Sequence, residues 1–280
     1  MGHFGDAAGR SERAQGMNPR GNSLAESWAL QRRVIGALLM REILTRYGRH
    51  NIGFLWLFAE PMMFTLGVAA LWTAAGANRF SNLPIVAFAL TGYSMVLLWR
   101  TMPSRCISAI EPNLTLLYHR NVKIADVFFA RLLLEAGGTT ISFVILTLVF
   151  WSAGWIRPPE DILQVAGGWL MMAWFGASLG VTMGVLSWKS ELVEKIWHPM
   201  SYLLFPASGA AFLVDSLPPA GQNAVLVLPM VHATEYMREG FFGSFINAHY
   251  DLVYMASFNA ALSIVGLLML RSISDQVRPE

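Results

Sequence analysis

The sequence predicts an all-α membrane protein. It should have six transmembrane helices, an N-terminal cytoplasmic interfacial helix and a short re-entrant segment before the last helix. Three observations predict this. Of the 280 residues, 55% are hydrophobic and only 14% are charged, against about 25% charged in soluble domains. Six apolar runs approach the ~20 residues that a helix needs to cross a ~30 Å core. All but three of the 20 Lys and Arg residues, the exceptions being Arg79, Arg157 and Arg238, fall on one side when both termini are cytoplasmic, as the positive-inside rule requires.

Residues 1–23 are polar and rich in Gly and Arg. They lack the apolar core of a secretory signal, so no cleavage is expected. Residues 24–51 form the expected interface helix. Leu24, Trp28, Val34, Ile35, Leu38 and Leu39 share one face. Past Met40, Glu42, Arg46 and Arg49 take over that face and the apolar direction turns to Ile43, Leu44 and Tyr47. A helix lying on the cytoplasmic membrane surface fits this pattern; a soluble helix docked on a partner is the alternative.

The transmembrane domain is expected over 52–271, with spans at 52–77, 83–99, 132–155, 162–188, 196–214 and 252–270. A seventh apolar piece, 224–231, is too short to cross and reads as re-entrant or interfacial. Residues 272–280 form a cytoplasmic tail. On the fourth span Gly176, Gly180 and Gly184 make a small-residue face, which lets another helix approach closely. Packing within the chain is expected there rather than a dimer seam.

Several chemistries are absent from the sequence. Lys123, Lys189 and Lys195 follow Val122, Trp188 and Glu194, so there is no Gly-Lys pair of a phosphate-binding loop. The six histidines show no metal spacing, and no Gly-x-Ser-x-Gly elbow occurs. A net charge of +2 gives no reason to expect nucleic acid. The single cysteine, Cys106, excludes an intrachain disulfide and reads as an inert thiol. No catalytic residue, metal or bound cofactor is expected. If the chain drives uphill transport, a partner or an ion gradient must supply the energy.

Three stretches carry a family resemblance. The first is Arg41-Glu42-Ile43-Leu44-Thr45-Arg46-Tyr47, then Gly53-Phe54-Leu55-Trp56, then Glu60-Pro61. It resembles the approach to the first span in ABC-2 type permeases. The second, residues 107–135, contains Ala109-Ile110-Glu111-Pro112-Asn113, Arg120-Asn121-Val122-Lys123 and Ala130-Arg131-Leu132-Leu133-Leu134-Glu135. It is similar to the cytoplasmic loop of capsular-polysaccharide export permeases. The third, residues 228–243, contains Leu228-Pro229-Met230-Val231-His232 and Glu235, then Arg238-Glu239. It is similar to a segment of the same family, which commonly has Asn where this chain has Leu228. Together they resemble the KpsM-like membrane subunits of capsule exporters, over about residues 30–271.

The resemblance implies a permease with no enzyme activity of its own, in the bacterial inner membrane with both termini cytoplasmic. It implies a second copy of the chain and two copies of a separate ATPase that binds ATP and Mg. It also implies polysaccharide co-polymerase and outer-membrane export partners. The cargo would be a lipid-anchored anionic capsular polysaccharide. O-antigen or teichoic-acid export is the near alternative. A proton-coupled transporter or a membrane transferase is the alternative of another class.

The resemblance and the residues together give candidate sites. Glu111, Asn113, Leu116, Leu117 and Tyr118 would dock the ATPase, with the second inside loop, 189–195, as a minor contact or a helix cap. A solvated connector would not need Leu-Leu-Tyr. Trp56, Glu60, Phe64, Trp72, Tyr93 and Trp99 are candidates for the substrate path, because aromatic rings stack on sugar CH faces; ordinary interface belts also use such rings. Arg41, Arg46 and Arg49 are candidates for admitting a lipid headgroup or anchoring to anionic bilayer lipid. His232, Glu235 and Arg238 are candidates for an outer gate, or for an external cap with surface ion pairs.

Glu60 is the costliest residue in the pattern. It would lie about 12 Å into the first span, at 1.5 Å per residue, and should face protein or water rather than lipid. Pro61 frees a carbonyl and favours a kink. Arg100, Arg105, Thr91 and Ser94 are candidate partners. A satisfied structural network, guidance of an anionic glycan, and proton coupling remain the three readings of this carboxylate.

Overall fold

The computed structural model describes residues 24–47, 51–76, 83–107, 109–117 and 122–277. Side chains are described for these except 24–27, 46–47, 51–54, 57–58, 60–61, 116–117 and 275–277. Among the described residues the regular structure is helical throughout. The long elements are α1 (Leu24–Tyr47), α2 (Asn51–Ala74), α3 (Ile85–Cys106), then the short α4 (Leu114–Leu117), α5 (Ile124–Ser152), α6 (Ile162–Lys189), α7 (Leu192–Ala207), α8 (Pro219–Val225), α9 (Pro229–Phe242) and α10 (Leu252–Val277).

Four of these, α3, α5, α6 and α10, are long and apolar enough to cross a membrane. Helix α3 is the centre of the bundle: 72% of its apolar stretch is buried, against 17% for α10. It packs against α2, α5 and α6, while α6 also packs against α9 and α10. The predicted spans differ at their ends. Helix α5 begins at Ile124, not near 132. Asp126, in its first turn, accepts the backbone N–H of Lys123 at 2.9 Å, which starts the helix earlier than hydropathy alone suggests. Helix α6 begins at Ile162 as predicted, with Asp161 capping it by accepting from the Gln164 N–H at 3.0 Å.

The small face of α6 packs inside the chain. A Cβ at Gly176 would lie 3.0 Å from the Leu98 carbonyl, one at Gly180 3.2 Å from Cys106 Sγ, and one at Gly184 2.9 Å from the Cys106 carbonyl. The three glycines therefore let α3 and α6 meet backbone to backbone. Gly168 does the same toward α9, where a Cβ would lie 2.9 Å from the Met237 N.

Helix α1 is one continuous helix, so the expected turn of its apolar face is not a break. It docks on α5 of the same chain. Gln31 donates to Asp126, and Glu42 pairs with Arg131 at 3.2 Å. Arg131 also donates to the Arg105 carbonyl at 2.7 Å, tying in the end of α3.

The predicted span 196–214 is corrected. Helix α7 stops at Ala207 after 16 residues, about 24 Å at 1.5 Å per residue. Two prolines, Pro199 and Pro206, lie inside it, and each removes a backbone donor. Gly209 then takes φ +79°, a conformation that favours glycine. The chain runs on unwound to a 3-10 turn at Val214–Ser216 and returns through α8 and α9. Helix α9 is not a surface cap: His232, Glu235 and Arg238 are all buried.

Candidate transport and docking sites

The two segments expected to face the ATPase meet at one cleft. Pro112 sits in the first turn of a 3-10 segment, Glu111–Asn113, that leads into α4, and proline suits a first turn because it lacks the N–H that would go unpaired there. Ile110 and Glu111 line a cleft of ≈ 460 Å³ together with Trp188, Glu194 and His198 from α6 and α7. Glu191 and Lys195, also in its wall, form an ion pair at 3.6 Å. Both are exposed, so the pair adds little stability. The lining is mixed polar and aromatic, with more carboxylates than cations.

Asn113 is not part of that surface. It is 3% exposed and donates to the Ala109 carbonyl at 2.8 Å. Its carbonyl oxygen accepts from Arg41 on α1. Two residues expected in separate sites, one for the ATPase and one for a lipid headgroup, are thus joined to each other. The side chains of Leu116, Leu117 and Arg46 fall outside the described set, as do Tyr118 and Arg49 altogether.

At the other end of the bundle, α9 holds the unwound chain that follows α7. Arg238 is fully buried. Its guanidinium donates to the carbonyls of Gly209, Phe212 (2.8 Å) and Ala210 (2.7 Å). It also lies 3.9 Å from the ring centroid of Phe88 on α3. Unwound backbone away from water needs donors, and an Arg offers five in a fixed fork. Burial lowers the Arg238 pKa to about 10 and neighbouring Glu235 partly restores it, so the side chain remains cationic near neutrality.

Glu235, one turn earlier, accepts from the backbone N–H of Val214 at 3.3 Å and of His249 at 3.2 Å. Burial raises its pKa, against the opposing pull of Arg238 and of these N–H groups. His232 accepts the Asp251 N–H on Nδ1 at 2.8 Å, while its Nε2 lies 2.8 Å from the Leu226 carbonyl. The carbonyl can only accept, so Nε2 carries the proton and the ring is neutral. Burial lowers the His232 pKa, against the Leu226 carbonyl and Asp251, which raise it.

The aromatic candidates separate. Trp99 has no exposure and packs edge-on against Trp197 at 6.4 Å, so it is core and lines no path. Trp56 and Phe64 are exposed on α2. Phe64 approaches Tyr93 at 6.4 Å, and Tyr93 meets Phe205 at 6.1 Å. Trp72 lies 5.7 Å from Phe88. Phe205, Phe88 and the Arg100–Tyr202 pair were missed from sequence. The available signal was spacing: Tyr93 and Arg100 are seven apart on α3, and Tyr202 and Phe205 three apart on α7, so each pair shares a face. The side chain of Glu60 lies outside the described set. Two of its proposed partners are engaged elsewhere: Arg105 pairs with Glu135 at 3.4 Å, and Thr91 donates to the Ala87 carbonyl at 2.9 Å.

Residues 33–242, from within α1 to the last residue of α9, match the ABC-2 type transporter family. The chain belongs to the ABC-2 type transporter family. This ABC-2 chain is 45% identical over 258 residues to the capsule polysaccharide export inner-membrane protein CtrC of Neisseria meningitidis serogroup B, with 92% of this chain and 97% of that one aligned. It is 42% identical over 255 residues to the capsule polysaccharide export inner-membrane protein BexB of Haemophilus influenzae, covering 91% and 96%. The polysialic acid transport protein KpsM of Escherichia coli is 26% identical over 243 residues, covering 87% and 94%. The family match takes in the cleft, the Arg41–Asn113 contact and the whole α7–α9 assembly, and stops short of α10.

Proposed function

We propose that this chain is the permease subunit of an ATP-driven exporter that moves a lipid-anchored anionic capsular polysaccharide across the bacterial inner membrane. The observation that carries it is the near-full-length relationship to CtrC and BexB, whose names state capsule polysaccharide export and the inner membrane. The functional unit is two copies of this chain with two copies of a separate ATPase, which holds ATP and Mg. Co-polymerase and outer-membrane export proteins receive the polymer. Helices α2 and α7 complete six crossings with the four long apolar helices, and both termini are cytoplasmic.

The cleft between the 109–117 segment and the start of α7 supports the ATPase-docking role. It gathers the two predicted inside segments into one surface, with exposed Glu111 on its rim. Proton coupling finds less support: Glu135, the other acid near a span, is tied to Arg105.

The test is co-expression with the ATPase encoded beside this chain, followed by affinity purification and ATP hydrolysis in nanodiscs. Wild type is expected to co-purify with the ATPase, and Leu117→Asp and Glu111→Ala to break or weaken the complex. Failure of any ATPase to associate with wild type would sink the exporter reading and return Glu60 as the candidate for coupling to protons.

A further inference from the structure

Arg100 differs from two neighbouring arginines, Arg105 on α3 and Arg131 on α5. Arg105 has Glu135 and Arg131 has Glu42. Among the described residues, no carboxylate lies within 4.0 Å of Arg100. Its guanidinium lies instead 4.0 Å from the ring centroid of Tyr202, a ring that is 63% exposed. Arg100 sits six residues before the end of α3, about 9 Å along the helix axis. It follows the apolar run 83–99 directly and precedes Arg105 on the same helix.

The surroundings favour a ligand. Tyr93, seven residues earlier on the same face of α3, meets Phe205 of α7 and Phe64 of α2. The Arg100 cation therefore stands at one end of a row of rings. Rings can stack on the CH faces of sugars. An Arg fork, held flat by a ring, can take a carboxylate or phosphate with two hydrogen bonds.

We infer that Arg100 and Tyr202 form a binding station for the acidic groups of the exported glycan, with Arg100 holding the anion and Tyr202 holding the guanidinium in place. The inference rests on the exporter reading and gives it a site for charge selection. Bilayer phospholipid headgroups offer the same anionic chemistry, so the test separates the two sources.

The complex with the co-expressed ATPase is placed in nanodiscs of purely zwitterionic lipid. Binding of a fluorescent oligosialic acid chain is compared with the same chain after reduction of its carboxyl groups to alcohols. Loss of a charge-assisted hydrogen-bonded contact predicts about tenfold or more weaker oligosialate binding by Arg100→Gln. Arg100→Lys should fall between, and Tyr202→Leu should weaken binding less. The reduced probe should bind all variants alike. Equal oligosialate binding by wild type and Arg100→Gln overturns the inference, as does no binding by wild type. So does a difference between variants seen only as lost co-purifying anionic phospholipid, which would make Arg100 a headgroup anchor. ATPase co-purification should be unchanged in Arg100→Gln. If wild type lacks that association, it is the exporter reading that fails.

Discussion

The guanidinium of Arg238 passes where Gly92 has no side chain. A Cβ at position 92 would lie 2.5 Å from Arg238 Nη2 and 2.4 Å from the Ala210 carbonyl oxygen that Nη2 holds. Three parts of the chain, α3, the unwound run after α7 and α9, close on this one point. The arrangement explains how the chain can run unwound past Ala207 inside a packed bundle: the carbonyls of Gly209, Ala210 and Phe212 are taken by a buried cation instead of by water.

Gly92→Ala should therefore destabilise although alanine is the better helix former. The nearest atoms are a backbone oxygen and a side chain already fixed by carbonyls, so neither can step aside cheaply. Overpacking of this kind costs about 1–3 kcal/mol. Arg238→Met leaves the carbonyls unpaired and Glu235 without its cation, and should cost about 3–5 kcal/mol. Thermal unfolding in detergent, followed by fluorescence size exclusion, reads both. An Arg238→Met protein as stable as wild type would refute the capping role.

Gly184 and Gly137 make a matched pair of alanine substitutions. A Cβ at 184 would meet the Phe128 ring at 2.4 Å and the Cys106 carbonyl at 2.9 Å; at 137 it would meet nothing within 4 Å. Gly184→Ala should lower the unfolding temperature. Gly137→Ala should leave it unchanged or raise it, since Ala gains up to about 1 kcal/mol over Gly in a helix. If both behaved alike, α3 and α6 would not be as close as their backbones place them.

The neutral ring of His232 sets a pH dependence. Its pKa is lowered in the folded protein, so the unfolded chain takes up the proton first as pH falls. Stability from this site is present above the ordinary histidine value of about 6.5 and is lost as pH falls through the lower folded value. The proton would arrive on Nδ1 and remove the acceptor of the Asp251 N–H. The advantage of wild type over His232→Gln, about 1–3 kcal/mol at neutral pH, should shrink between pH 7 and pH 5. A constant difference in unfolding temperature over that range would contradict the assigned tautomer. Asp251, which favours the charged ring, moderates the loss.

Much of this architecture was legible as hydrophobic runs and small residues. The apolar stretches of α3, α5, α6 and α10 are long enough to read directly. Gly176, Gly180 and Gly184 announce a close contact by spacing alone. The early end of α7 was also written in the chain, in Pro206 and Gly209, but the apolar residues beyond them hid it. The role of Arg238 was not legible. Beside Glu235 at three residues' distance it looks like a surface pair, and its true partners lie 26–29 residues away in the loop. Trp99 was misplaced for a related reason: a ring in an apolar helix has the same sequence signature whether it faces a path or the core.

The contact of Arg41 with Asn113 predicts how the docking segment is held. Asn113 is buried, so it cannot meet an ATPase directly, yet it sits between Glu111 and α4 and sets their position. Arg41 fixes it from α1, and Glu42 beside it is fastened to Arg131 of α5. Arg41→Ala and Asn113→Ala should each weaken ATPase co-purification by a similar factor. The double variant should be little worse than either single one, because both remove the same contact; coupling of about 0.5–3 kcal/mol is usual for touching residues. Glu111→Ala, on the exposed rim, should add its loss independently to that of Arg41→Ala. If Asn113→Ala abolished association while Arg41→Ala left it intact, Asn113 would have to reach the ATPase itself, and α1 would have no part in holding the docking segment.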